Sequence, residues 1–271
     1  MSDQGSGHEL DLDAYLARIG LAGRPAPAAV HRAHVEAIPF ENLDSLRGVP
    51  VSLELADLER KLVAERRGGY CFEHNLLFAA ALRALGHEVE PMLARVGPRS
   101  NAERGLTHLL LRVRSGDAVW HADVGFGAGT LIEPVPFGPG EEFTQLGWRR
   151  RVVADGPELV LQRIGADGEW ADVYSFVPVP ARRVDIEMGN WFVATHPRSR
   201  FADGLVVTRN RHDGSRTVLS DWSGTLRLIE QTPGAEIERE VERAEIPSLL
   251  AELGLPGWTL GQRGVPEPAP H

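Results

Sequence analysis

Apolar positions in the first third of the chain recur at helical spacing. In "LDAYLARIGL", Leu12, Tyr15, Leu16 and Ile19 fall on one face and Gly20 ends the run. "PAAVHRAHVEAIPF" predicts a second helix that stops at Pro39, because proline restricts the residue before it and has no backbone N–H. "SLELADLERKLVAERR" spaces Leu53, Leu55, Leu58, Leu62 and Val63 for a third. "CFEHNLLFAAALRALG" predicts a fourth, closed by Gly86 where left-handed backbone is favoured. Together they predict a helical bundle over residues 1–88.

The period then changes. "VEPMLARV", "THLLLRV", "AVWHADVGF", "RRRVVA" and "ELVLQRI" are short, rich in β-branched residues and separated by turn-forming stretches such as "GPRSNAERG" and "SGD". They predict an antiparallel sheet or barrel over residues 89–188. Residues 189–271 mix strand-like runs ("GLVVTRN", "RTVLS", "TLRLIE") with a helical "EIPSLLAELG", and the proline-rich "GVPEPAPH" predicts a frayed tail. The chain therefore reads as an α+β multidomain protein.

Composition narrows the function classes. The 271 residues carry a net charge of −9, which argues against nucleic acid as a partner. The N-terminus is polar and acidic where a signal peptide is basic and then apolar, and no run approaches the ~18 apolar residues of a membrane span. A single cysteine, Cys71, excludes an internal disulfide and a multi-thiolate metal site. These features predict a cytoplasmic protein without nucleic-acid or membrane partners and without a bound metal; they leave the oligomeric state open.

A lone cysteine is usually an inert buried residue, and composition alone favours that reading. Its surroundings point elsewhere. In "RRGGYCFEHN", residues 66–75, Cys71 opens the fourth helix, where unpaired N–H groups and the helix dipole stabilise a thiolate. Gly68 and Gly69 let the backbone turn sharply before it. Among ten histidines, His108 stands out. "THLLLRV" and "AVWHADV" flank "RSGD", and a loop of Ser115-Gly116, or of Arg114 to Asp117, sets His108 directly opposite Asp123 on one sheet face. Cys71, His108 and Asp123 then form a nucleophile, base and orienting carboxylate, an arrangement analogous to papain-like and transglutaminase-like thiol enzymes.

Four ordered blocks carry a family likeness: "AIPFENLD" at 37–44, "RRGGYCFEHN", "THLLLRV" followed by "ADVGFG" at 122–127, and "NWFVATHPRSRF" at 190–201. With them the chain resembles the arylamine N-acetyltransferases. The resemblance implies a helical bundle, a β-barrel and an α/β lid, with Cys71 acetylated by acetyl-CoA and then deacetylated by an aromatic amine, arylhydroxylamine or hydrazine. It further implies that Phe40 and Phe126 line the acceptor pocket, and that Arg104, Gly105 and Thr107 lie on a loop approaching CoA or substrate. Gly127 would allow close backbone approach to the cofactor, and Arg67 and Glu41 would form a supporting ion pair. The stretch "TLIEPVPFGPGEEFTQLGW" after Gly129 departs from familiar bacterial members. Such variability also occurs in amide synthases that close macrolactams with the same triad. A cysteine hydrolase and a non-catalytic binding protein complete the alternatives.

Overall fold

The computed structural model describes residues 8–270 except 102, 166, 262 and 263; the histidine at 271, part of the expected tail, lies outside the described residues. Helices α1 (Leu12–Arg18) and α2 (Pro27–Ala37) come first, followed by a short strand β1 (Phe40–Glu41) and α3 (Leu43–Arg47). The expected third helix begins as α4 (Leu55–Glu59) and widens into a π-helical turn over Arg60–Ala64. Next is α5 (Cys71–Ala84), the central helix: Phe72, Leu77, Phe78, Ala81 and Leu82 are all fully buried. Each large side chain so buried contributes about 1.5–3 kcal/mol.

Strands β2 (Glu88–Val96), β3 (His108–Ser115), β4 (Ala118–Ala122), β5 (Val135–Pro136), β6 (Phe143–Gln145), β7 (Trp148–Asp155), β8 (Glu158–Ile164) and β9 (Trp170–Phe176) form one antiparallel sheet in the order β5-β4-β3-β2-β9-β8-β7-β6. Its edges, β5 and β6, do not pair with each other among the described residues, so hydrogen bonding leaves the expected barrel an open sheet. Helices α6 (Arg183–Thr195) and α7 (Arg200–Asp203) lead into β10 (Val206–Asn210), β11 (Arg216–Ser220), β12 (Arg227–Thr232) and β13 (Ala235–Glu240). These four join β1 in a second antiparallel sheet, so the N-terminal segment lends a strand to the C-terminal one. Residue 188, an expected boundary, falls inside α6.

After α8 (Ile246–Glu252) the chain ends in β14 (Trp258–Leu260) and β15 (Pro266–Pro268). The tail expected to fray instead pairs: Trp258, Thr259 and Leu260 face Pro268, Glu267 and Pro266. Proline is tolerated there because a two-stranded ribbon is all edge.

The hairpin that carries the chemistry differs in register from the expectation. Its loop is Gly116-Asp117, with Gly116 at φ +60°, the left-handed first position of a type II′ turn. Ser115 therefore faces Ala118 and Leu111 faces Ala122, a shift of two residues. Because side chains alternate with a period of two, that shift leaves His108 and Asp123 on the same face, now as diagonal neighbours.

Candidate active site

Cys71 is the first residue of α5, and the turn before it is shaped by contact. A Cβ on Gly68 would lie 2.2 Å from the Pro39 carbonyl oxygen, and one on Gly69 would lie 2.7 Å from Glu73 Oε2. The Glu73 carboxylate accepts from the Tyr70 backbone N–H at 3.0 Å, closing the first helical turn over the thiol. Behind it, Lys61 Nζ reaches Glu73 at 2.6 Å and Asp44 at 2.8 Å, while Arg67 contacts Asp44 at 2.7 Å and Glu41 at 3.3 Å. The expected Arg67–Glu41 pair is thus one edge of a larger buried network. Burial raises Glu73 to about 6 against the pull of Lys61, with Glu41 adding to the rise.

His108 Nε2 donates to Asp123 Oδ2 at 2.8 Å, and both side chains are buried. A carboxylate only accepts, so Nε2 carries the proton and Nδ1 is left for the thiol. Cys71 is the ring's other hydrogen-bonding neighbour, and its Sγ also lies 3.7 Å from the Thr107 carbonyl oxygen. Burial works against the imidazolium, yet the Asp123 carboxylate and the Cys71 sulfur outweigh it and push His108 up to about 10. Burial likewise disfavours the Asp123 carboxylate, but His108, Asn75 and the Gly125 N–H hold it well below the usual carboxylate range. The three groups named from sequence meet at one point, arranged to take a proton from the thiol and keep it on the imidazole.

Asn75 escaped sequence reasoning although it lies in "RRGGYCFEHN". It is fully buried and donates to Asp123 Oδ1 at 3.0 Å and to the Leu109 carbonyl at 2.7 Å, while its own oxygen accepts from the Val124 N–H at 3.2 Å. The available signal was its position four residues after Cys71, on the same helix face. Helical spacing alone allows His31 to be neutral and hydrogen-bonded or exposed. It is fully buried: Nε2 accepts from the Asp123 N–H and Nδ1 donates to the Ile132 carbonyl, each at 3.1 Å.

The pocket residues divide. Phe126 packs edge-on to His108, ring centres 4.9 Å apart, with Tyr174 5.0 Å from the imidazole. Phe40 shares an apolar cluster with Cys71 and stands edge-on to Phe201, a ring that was not singled out, at 6.1 Å. Gly127 has φ +62°, and a Cβ there would meet Phe40 at 3.2 Å. Arg104 behaves otherwise: its guanidinium donates to the carbonyls of Arg95, Gly97 and Asn101, bracing its own loop. Gly105 is exposed on that loop, and Thr107 is bound to the Ala94 carbonyl through its N–H. Among the described residues, no group of three or more His, Cys, Asp or Glu is placed to hold a metal ion, and no helix is long and apolar enough to cross a membrane.

An α+β fold with a thiol at a helix start and a histidine–aspartate pair on a neighbouring hairpin defines a thiol-dependent acyl-transfer class. A family model described as N-acetyltransferase matches residues 28–253. The arylamine N-acetyltransferase of Mycolicibacterium smegmatis is 42% identical over 211 residues, covering 73% of this chain and 76% of the relative. The crystal structure of the Nocardia farcinica arylamine N-acetyltransferase superposes with a TM-score of 0.84 at 42% identity, covering 96% of this chain and 93% of that one. The Mycobacterium marinum arylamine N-acetyltransferase in complex with CoA gives 0.84 at 33% identity, covering 90% and 93%. The chain belongs to the arylamine N-acetyltransferase family.

Proposed function

We propose that the protein transfers an acetyl group from acetyl-CoA to arylamines, arylhydroxylamines or hydrazines through an acetyl-Cys71 thioester. The observation that carries this reading is the buried 2.8 Å His108–Asp123 contact beside the thiol at the start of α5. Asp123 holds Nε2–H, and Nδ1 takes the Cys71 proton. The sulfur attacks the thioester carbonyl, and the expelled CoA sulfur takes that proton from the imidazolium. The amine then attacks acetyl-Cys71, gives its surplus proton to His108 and leaves as the amide, while the thiol is restored. Phe40, Phe126 and Phe201 supply the apolar wall for an aromatic acceptor, Gly127 the close backbone approach, and Thr107 the carbonyl that faces the sulfur.

Arg104 and Gly105 enter this reading through the shape of their loop rather than through a free guanidinium. A three-part layout accompanies it: a helical bundle to residue 88, a sheet domain ending before Arg183, and a C-terminal α/β lid. With its single thiol required in reduced form, the enzyme belongs in the cytoplasm. The macrolactam-forming and hydrolytic alternatives are set aside because the relatives named above are N-acetyltransferases.

Intact-mass measurement tests the proposal. Acetyl-CoA alone should add one acetyl group to Cys71, and an arylamine should discharge it with stoichiometric amide formation. Loss of the acetyl group to water at the same rate without amine would refute the transferase reading.

A further inference from the structure

Two arginines lie buried outside the triad, between the two large sheets. Arg150 on β7 and Arg216 on β11 are each 1% exposed, among the largest fully buried side chains. Trp148, two residues before Arg150 on the same face of β7, lies under the Arg216 guanidinium, 4.0 Å from ring centre to Cζ, so the two cations are neighbours. Arg150 Nη2 donates to the carbonyls of Gly129 and Thr130 at 3.3 and 2.9 Å. Its Nε and Nη1, and Nε and Nη2 of Arg216, are buried without an acceptor.

The charges are no better matched than the hydrogen bonds. Neither guanidinium forms an ion pair among the described residues, and Arg163 stands directly across from Arg150 on β8. Tyr174 and Asp123 are the acidic side chains felt by Arg150, but burial keeps the Tyr174 phenol neutral and the Asp123 oxygens are already taken by His108, Asn75 and the Gly125 N–H. Burial lowers both guanidiniums, and Arg150 adds to the lowering of Arg216. Water answers the unpaired N–H groups but leaves two like charges side by side in a low dielectric. An oxyanion answers both, and planar guanidinium forks match its geometry. Asn210, directly across the ladder from Arg216, adds a buried Oδ1 without a donor. That oxygen suits an anion carrying its own O–H, as phosphate does near neutral pH.

We propose that Arg150 and Arg216, with Asn210, form a binding site for a phosphate-class oxyanion that ties the turn at residues 127–130 to the C-terminal sheet. Either free inorganic phosphate or a phosphoryl group of a CoA thioester offers that chemistry.

Thermal unfolding of the whole protein in sodium phosphate, against sodium chloride of equal ionic strength, tests it. A rise of roughly 2–4 °C is expected once phosphate exceeds its dissociation constant about tenfold, growing with the logarithm of phosphate concentration beyond that. Arg216→Met should abolish the rise while leaving the midpoint in chloride equal to or above wild type, because a buried repulsion is removed. Arg216→Lys, which keeps the charge and loses the fork, should weaken it. A rise with CoA but not with phosphate or pantetheine, abolished by Arg216→Met, assigns the oxyanion to the donor. Broadening of the phosphate ³¹P resonance by wild-type protein reports binding without any variant. Equal midpoints in all the salts and CoA, with an unbroadened resonance, or a phosphate rise that persists in Arg216→Met, overturns the proposal.

Discussion

His108 reaches Asp123 diagonally across a hairpin in which Leu111 faces Ala122, and its Nε2 lies 2.8 Å from the carboxylate although the two residues are not register partners. The carboxylate both fixes the tautomer and raises the imidazole. Asp123→Asn should keep the fold but present an acceptor or donor in the wrong sense, lowering kcat by roughly 10³-fold or more. The rate of Cys71 alkylation should fall with it. An alkylation rate unchanged from wild type would show that His108 is oriented by something other than Asp123.

The proposed nucleophile gives the sharpest outcome. Cys71→Ser replaces a thiol that forms a resting ion pair with the imidazole by a hydroxyl of far higher pKa that does not, so the acetyl-enzyme should not form at a measurable rate and turnover should be lost. Intact mass after mixing with acetyl-CoA measures this; an acetylated Cys71→Ser protein would move the nucleophile elsewhere.

Asn75 joins α5 to β3 and to the segment just after β4 by three hydrogen bonds. Asn75→Ala should cost about 2–4 kcal/mol in urea unfolding, since it orphans a buried carbonyl and N–H and loosens Asp123. Activity should fall further than that loss of folded protein explains. Asn75→Ala with wild-type stability would mean that water replaces the amide at no cost.

Gly125 is a steric gauge of how closely the hairpin approaches the helix. A Cβ there would lie 2.7 Å from Asn75 Nδ2 and 2.8 Å from Cys71 Cα, whereas one on Gly140 meets nothing within 4 Å. Gly125→Ala should reduce both stability and acetylation of Cys71, and Gly140→Ala neither. Equal behaviour of the two variants, in melting temperature and acetylation rate, would contradict the packing described.

The proximity of Cys71, His108 and Asp123 is legible because each obeys local rules: a helix start marked by glycines, and a hairpin whose period of two preserves the face even when the turn is misplaced by two residues. Apolar spacing predicts one uniform third helix because it does not record the wider turn at Arg60–Ala64. Proline content suggested a frayed tail, but Trp258, buried in the C-terminal core, anchors β14 beside it. The buried arginines were not legible at all. Three successive arginines in "WRRRVV" read as a solvated stretch, and it is tertiary contact with the Gly129–Thr130 turn and with Trp148 that encloses Arg150 and Arg216. The same holds for the histidines of α2 and α5, whose burial depends on tertiary contacts that helical spacing does not specify.

Those histidines, with the buried His121 on β4, set the acid limit of the protein. Tyr15 Oη lies 2.8 Å from His34 Nδ1, His34 Nε2 2.9 Å from His74 Nδ1, and His74 Nε2 donates to the Pro39 carbonyl at 3.1 Å; burial holds both rings neutral, and with both neutral and His74 Nε2 protonated, His74 Nδ1 accepts from His34 Nε2 and His34 Nδ1 from Tyr15. Burial lowers His31, His74 and His121 to about 4 and His34 well below its usual value. Between about pH 4 and 6.5 the unfolded chain binds protons at these sites and the folded chain does not, so stability rises with pH across that window. Glu73, raised to about 6, opposes this with a single proton between about pH 4.5 and 6. The four histidines outweigh it. The urea midpoint should therefore fall steadily from pH 6.5 to pH 4.5, with a slope corresponding to uptake of more than one proton on unfolding. A midpoint that is flat over this range would show that the histidine chain accepts protons in the folded state.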